Sequence, residues 1–146
     1  PKGLFVVILF PKIVVNTKDS RSVMQQNISL QTATNQWANM GALVASLYQN
    51  DLSLLSRAMV DEVAEPARAL LIPKFEEIKA AAKQNDAISF GISGSGPSVF
   101  ALTDNITQAK KIQEAMKQVF YNTSIDTMSL IESLANNKGA RLVDTF

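Results

Sequence analysis

The chain has 146 residues, 47% of them apolar and 18% charged, with a net charge of +1. That is one soluble globular domain's worth, neither disordered nor carrying a field that would draw it to nucleic acid or a membrane surface. It has no cysteine and no histidine, which excludes a disulfide framework, thiolate or imidazole metal sites, and any histidine triad or imidazole acid/base step within it.

Residues 4–10 form an unbroken apolar run with β-branched and aromatic content. The run is too short to span a bilayer and lacks the basic region and cleavage site of a signal peptide, so it reads as a buried strand. A chain that opens on a core strand, without methionine, reads as a piece of something longer. Pro11 ends the strand. Thr17-Lys18-Asp19-Ser20-Arg21 can open a short helix with Thr17 as its N-cap, and puts Thr17 and Arg21 on one face. Residues 25–32 are polar and irregular. A long helix is expected from Thr32 or Ala33 to Gln49, with Trp37, Met40, Gly41, Val44, Leu47 and Tyr48 as an apolar stripe packed into the core. Asn50-Asp51 ends it, and Asp51 caps a second helix with Leu52, Leu55 and Met59 inward.

Residues 61–68 are charged and contain Pro66, which suits the first turn of a helix and puts Arg68 near its start. Arginine usually sits at the other end, where it offsets the dipole. Here it calls for an anion, either Glu65 or a ligand, or else it is solvated. Pro73 starts a further helix with Phe75, Ile78, Ala81 and Ala82 inward, closed by Asn85-Asp86.

Ile88, Phe90 and Ile92 alternate with Ser89 and Gly91, and residues 98–102 form a second β-forming run. Joined by Ser93-Gly94-Ser95-Gly96-Pro97, they read as a hairpin. Gly94 and Gly96 allow φ > 0 or close backbone approach to a ligand. With the hydroxyls of Ser93, Ser95 and Ser98, such a concavity suits an anion, above all phosphate. It is not a Walker A motif, because no Lys-Ser or Lys-Thr pair follows the glycines. Nor is it a dinucleotide fingerprint, because Val99-Phe100 continues as a strand rather than a helix. A tight hairpin needing glycine for its turn alone is the alternative. Thr103-Asp104-Asn105 then caps a helix with Ile106, Ala109, Ile112, Met116 and Val119 inward. Residues 125–131 read as a strand, 136–139 as a turn and 140–143 as a last short strand. Antiparallel strands with helices on one face make a two-layer α+β sandwich. A ferredoxin-like core with extra helices in its first crossover is the expected topology.

Three segments taken together resemble a known family. Thr17-Lys18-Asp19-Ser20-Arg21, then residues 65–73 beginning Glu65-Pro66-Ala67-Arg68, then Gly91-Ile92-Ser93-Gly94-Ser95-Gly96-Pro97-Ser98 are similar, in this order and spacing, to the C-terminal domain of the homoserine kinases, members of the GHMP small-molecule kinase superfamily. The tail 138–143 is similar too. The glycine loop alone points only to the superfamily; the Glu-Pro-x-Arg segment points to homoserine kinases. The resemblance covers nearly all 146 residues and implies one C-terminal domain whose N-terminal, ATP-binding partner domain is absent. It implies ATP-dependent phosphorylation of the L-homoserine side-chain hydroxyl, on the route to threonine, by a cytoplasmic enzyme whose active site lies between two domains. ATP and Mg2+ would be bound mainly by the absent domain, which would also supply the catalytic aspartate, so this chain alone would be inactive, with no metal ligand or base of its own. Carried over by position, Arg21 and Arg68 would hold the substrate carboxylate and Thr17 would lie near the substrate. Ser93, Gly94, Ser95 and Gly96 would support the phosphates. Ser20 stands where many members have alanine, and Gln25 where proline is frequent. The chemistry agrees with the arginine roles, since a guanidinium meets a carboxylate with two parallel hydrogen bonds. A ferredoxin-like binding or regulatory module without catalysis, and a purely structural or homodimerising domain, are the other readings of the same residues.

Overall fold

A computed structural model describes residues 3–134; the expected turn at 136–139, the strand at 140–143 and the family-like tail lie outside them. Four strands, β1 (Phe5–Pro11), β2 (Ser89–Ile92), β3 (Val99–Thr103) and β4 (Thr127–Ser133), form one sheet in the order β2-β3-β1-β4. Every pairing is antiparallel. The registers run from Phe5↔Thr103 to Leu9↔Val99, from Phe5↔Ser133 to Pro11↔Thr127, and from Ser89↔Leu102 to Ile92↔Val99. Helix α5 (Phe75–Gln84) precedes β2 and α6 (Ile106–Gln118) joins β3 to β4. Each crossover skips the strand lying between its two ends, which is the split βαβ arrangement of a ferredoxin-like core. The expected α+β class and antiparallel sheet are both present.

Strand alternation divides the apolar residues between two faces. Val7, Leu9, Val99 and Ala101 meet Phe75, Ile78 and Ala82 of α5 and Ala109, Ile112 and Met116 of α6 in the main core. Burying side chains of this size stabilises by about 1.5–3 kcal/mol each. Those two helices cover one face, as expected of the ferredoxin-like core. The extra helices of the first crossover reach the other. There Leu43 of α2 (Leu30–Gln49), and Leu52 and Leu55 of α3 (Leu52–Ala58), pack with Leu4, Val6, Leu102 and Phe100. This second layer stops short of β4, so Met128 and Leu130 are exposed. At the edge strand β2, Lys83 of α5 donates to Ile88 O at 3.1 Å. Partial burial there, and then the charge of Lys79, hold its ammonium pKa below the ordinary lysine value.

Local signals set the helix ends. Asn50 takes a left-handed conformation after α2, Asp51 Oδ1 accepts from Leu54 N at 2.9 Å, and Asn105 Oδ1 accepts from Thr107 N and Gln108 N. Ser29 caps α2, which starts at Leu30, two to three residues ahead of the start expected from hydrophobic spacing. Three expectations need correction. Thr17 is not a cap, because it already lies inside α1 (Thr17–Ser22); the N-cap is Asn16, which makes no side-chain cap bond and whose Nδ2 donates to Asp19 Oδ2. Ile106, at the first turn of α6, is exposed rather than inward.

The third correction concerns α2. Trp37 is 68% and Tyr48 89% exposed, and Met40, Val44 and Leu47 are exposed as well, so the stripe faces outward instead of packing the core. The reason lies on the helix's polar side. Asn35 Nδ2 donates to Glu62 Oε2, Gln36 Oε1 accepts from Glu62 N, and Asn39 Nδ2 donates to Val60 O. Those bonds turn the polar side toward the protein and leave the apolar stripe outside.

Candidate functional site

The β2–β3 hairpin carries the glycine-serine loop at its tip. Ser93 N donates to Ser98 O at 2.8 Å and Gly96 N to Ser93 O at 3.2 Å, which closes the turn. Gly94 (φ 63°) and Gly96 (φ 81°) are both left-handed, a region that crowds any Cβ against the following carbonyl. Their surroundings differ. A Cβ on Gly96 would lie 3.1 Å from Ile72 Cδ1, whereas one on Gly94 would meet nothing within 4 Å. Gly96 therefore packs the loop down, and Gly94 leaves its approach open. Among the described residues no protein acceptor takes the N–H of Gly94 or Ser95. The glycines thus serve the turn, and the same turn leaves two backbone donors for an anion.

Arg68 reaches this loop from a single turn of helix, α4 (Glu65–Arg68), which continues as a 3-10 turn over Ala69–Leu71. Pro66 occupies the first turn as expected, but the helix is so short that Arg68 closes it rather than opening it. The expected choice of anion is resolved in part. Glu65, largely buried, pairs with Lys79 of α5, not with Arg68. Lys79 Nζ also lies 5.8 Å from the centre of the Phe75 ring. No ion pair among the described residues includes Arg68. Its Nη1 donates to Gly94 O at 2.9 Å, while its Nε is buried with no acceptor. A buried donor left unmade is costly, and guanidinium N–H groups take charged acceptors best.

The third element is α1. Its polar sequence leaves Thr17, Lys18, Asp19, Arg21 and Ser22 exposed, and Ser20 alone is buried, at 0% exposure. Ser20 Oγ donates to Ser95 O at 2.9 Å across 75 residues of sequence. Two consecutive loop carbonyls, of Gly94 and Ser95, therefore receive Arg68 and Ser20. Of the residues expected from sequence, Arg68, Gly94, Ser95 and Gly96 meet at one place, with Ser93 in the same turn. Thr17 and Arg21 ride on the helix that Ser20 seats, and neither makes a bond to the loop. Ser20 itself carried no positional signal, because residues 17–22 are polar throughout and show no apolar contrast.

Beside Arg68 and Gly94 opens a cleft of about 190 Å³, walled by Gln36, Asn39 and Leu43 of α2, Met59, Asp61 and the strand β2. Sequence reasoning missed this wall, since Gln36 and Asn39 lie off the apolar stripe that drew attention. Asp61 Oδ1 accepts from Val63 N and Ala64 N, which shapes the segment leading into α4. Among the described residues, no three His, Cys, Asp or Glu side chains gather as a metal site.

Residues 43–122, more than half of the chain, match the family model described as GHMP kinases C terminal. The chain belongs to the GHMP kinases. It is 42% identical over 146 residues to homoserine kinase of Chlorobaculum tepidum, covering 99% of this chain and 45% of that protein. It is 45% identical over 120 residues to homoserine kinase of Chlorobium phaeobacteroides, covering 82% and 38%. The crystal structure of homoserine kinase from Cytophaga hutchinsonii superposes with a TM-score of 0.89 at 43% identity, over 91% of this chain and 42% of that one. The chain thus spans less than half the length of the relatives it matches. The α+β fold described above is the one shared with the Cytophaga hutchinsonii structure. No described helix is long and apolar enough to cross a membrane.

Proposed function

We propose that residues 1–146 are the C-terminal domain of an ATP-dependent homoserine kinase, which phosphorylates the side-chain hydroxyl of L-homoserine in threonine biosynthesis. The observation that carries the reading is Arg68. It is tied to the glycine-serine loop by one nitrogen, lines a cleft, and has no carboxylate partner among the described residues. A small amino acid presents the acceptor such a fork lacks. Arg68, joined by Arg21 from α1, holds the α-carboxylate, and Thr17 lies near the substrate. The open N–H groups of Gly94 and Ser95, with the hydroxyls around them and Gly96 fixing the turn, stabilise charge on the phosphates by electrostatics rather than by proton transfer.

An N-terminal domain completes the site and supplies the nucleotide pocket and the base, so the chain by itself is inactive. Mg2+, which offsets phosphate charge when bound, belongs with that domain, as the resemblance to the homoserine kinases implies. The enzyme works in the cytoplasm, without nucleic acid or membrane partners. A second copy of the enzyme packs on α2. That helix has no charged residue in twenty, and its outward stripe centres on Gly41, where a Cβ would meet open space. Two such faces related by a twofold axis bring neutral surfaces together without like-charge repulsion.

The test uses the full-length enzyme containing this chain. ATP-dependent phosphorylation of L-homoserine is expected, and Arg68→Ala should raise the homoserine KM about 10- to 100-fold, the scale of a lost charged hydrogen bond. The KM for ATP should stay within a few-fold. A folded full-length protein that does not phosphorylate homoserine would overturn the reading.

A further inference from the structure

Helix α1 has six residues, too few to hold a helix in water by themselves. It has no side-chain cap, and its remaining side-chain bonds are local, Asn16 to Asp19 and Ser22 to Asp19 O. One side-chain hydrogen bond joins it to the rest of the described protein, from Ser20 to Ser95 O. The acceptor is not an arbitrary surface carbonyl. It belongs to the peptide unit following the one whose carbonyl receives Arg68. Because each peptide is planar, fixing its carbonyl fixes the direction of its N–H. Arg68 thereby aims the Ser95 N–H away from itself. Ser20 fixes the next unit, whose N–H closes the turn on Ser93 O.

We infer that Ser20 is a positioning residue that couples the Arg21 helix to the phosphate-side loop, so that carboxylate binding and phosphate binding share one rigid frame. The inference rests on the kinase reading of Arg21 and Arg68. Ser20 touches no reacting atom. Its hydroxyl sets the distance between Arg21, the next residue along the helix, and the Gly94–Gly96 turn. Loss of that hydroxyl frees α1 to shift, and the carboxylate partner moves with it. Arg68 reaches the loop through its own bond to Gly94 O and is untouched.

Kinetics of the full-length enzyme test this through a double-mutant cycle. Ser20→Ala should raise the homoserine KM about three- to tenfold, with kcat and the ATP KM within about twofold, matching the loss of one neutral hydrogen bond. In an Arg21→Ala background the same change should have no further effect on the homoserine KM. In an Arg68→Ala background its full effect should persist. Ser20→Cys, of nearly the same volume, keeps the buried site filled and provides the comparison should the alanine variant lose stability. It should sit between wild type and Ser20→Ala in homoserine KM. A Ser20→Ala effect that is equal in the Arg21→Ala and wild-type backgrounds would overturn the inference and leave the kinase reading standing. So would a Ser20→Ala variant that lowers thermal stability with the homoserine KM unchanged. A full-length wild-type enzyme without homoserine phosphorylation would overturn both.

Discussion

At the scale of single residues, two glycines in the same left-handed region do different jobs. Gly94 faces open space and Gly96 faces Ile72. Gly94→Ala therefore should cost only the backbone strain of a left-handed L-residue, about 1–2 kcal/mol. Gly96→Ala should cost distinctly more, because its methyl also crowds Ile72 Cδ1. Urea unfolding of the two variants checks this, and equal losses would contradict it. The sequence made both glycines visible but not the difference between them, since that depends on Ile72, more than twenty residues away. Arg68 was visible in the same limited way. Its residue type and neighbouring Pro66 marked it as a cation wanting an anion. Only the fold shows that Lys79, fourteen residues beyond Glu65, takes the Glu65 carboxylate and leaves the guanidinium for something else.

At the scale of elements, the features written in local chemistry were readable. Asp51 and Asn105 announced two helix starts, Asn50 one helix end, and alternation around the Gly-Ser loop announced the hairpin. What periodicity does not reveal is which neighbour covers a stripe. In α2 the period of Trp37, Met40, Val44 and Leu47 is helical, yet Asn35, Gln36 and Asn39 bind the segment at 60–62 and turn the stripe outward. In α1 the opposite problem holds: a wholly polar segment hides the one residue that docks it. The outward face of α2 predicts that the full-length enzyme sediments as a dimer at micromolar concentration and that Trp37→Glu shifts it to monomer with little change in folding. An unaltered sedimentation coefficient in that variant would exclude α2 as the contact.

At the scale of the whole molecule, the sheet places every proposed ligand group at one end. β2 and β3 hand the chain through the glycine-serine loop there, and the first crossover, with its extra helices, delivers α1 and α4 to that loop. On the other face of the sheet, α5 and α6 hold the hairpin still without lining the cleft themselves; Phe90 of β2 belongs both to their core and to the cleft wall. The architecture followed from the order of elements, because two crossover helices around a hairpin leave few antiparallel arrangements. The convergence of α1 and α4 on consecutive carbonyls did not, since it is set by two hydrogen bonds spanning 75 and 26 residues.

A substrate that lacks the carboxylate interrogates that convergence directly. In the full-length enzyme, 3-amino-1-propanol keeps the hydroxyl and amine of homoserine but removes the group assigned to Arg68. The wild type should prefer homoserine in kcat/KM by about a hundredfold or more, the scale set by a desolvated ionic hydrogen bond. Arg68→Ala should erase at least about tenfold of that preference by slowing homoserine alone. Equal slowing of both substrates by Arg68→Ala, or none of either, would contradict the assignment.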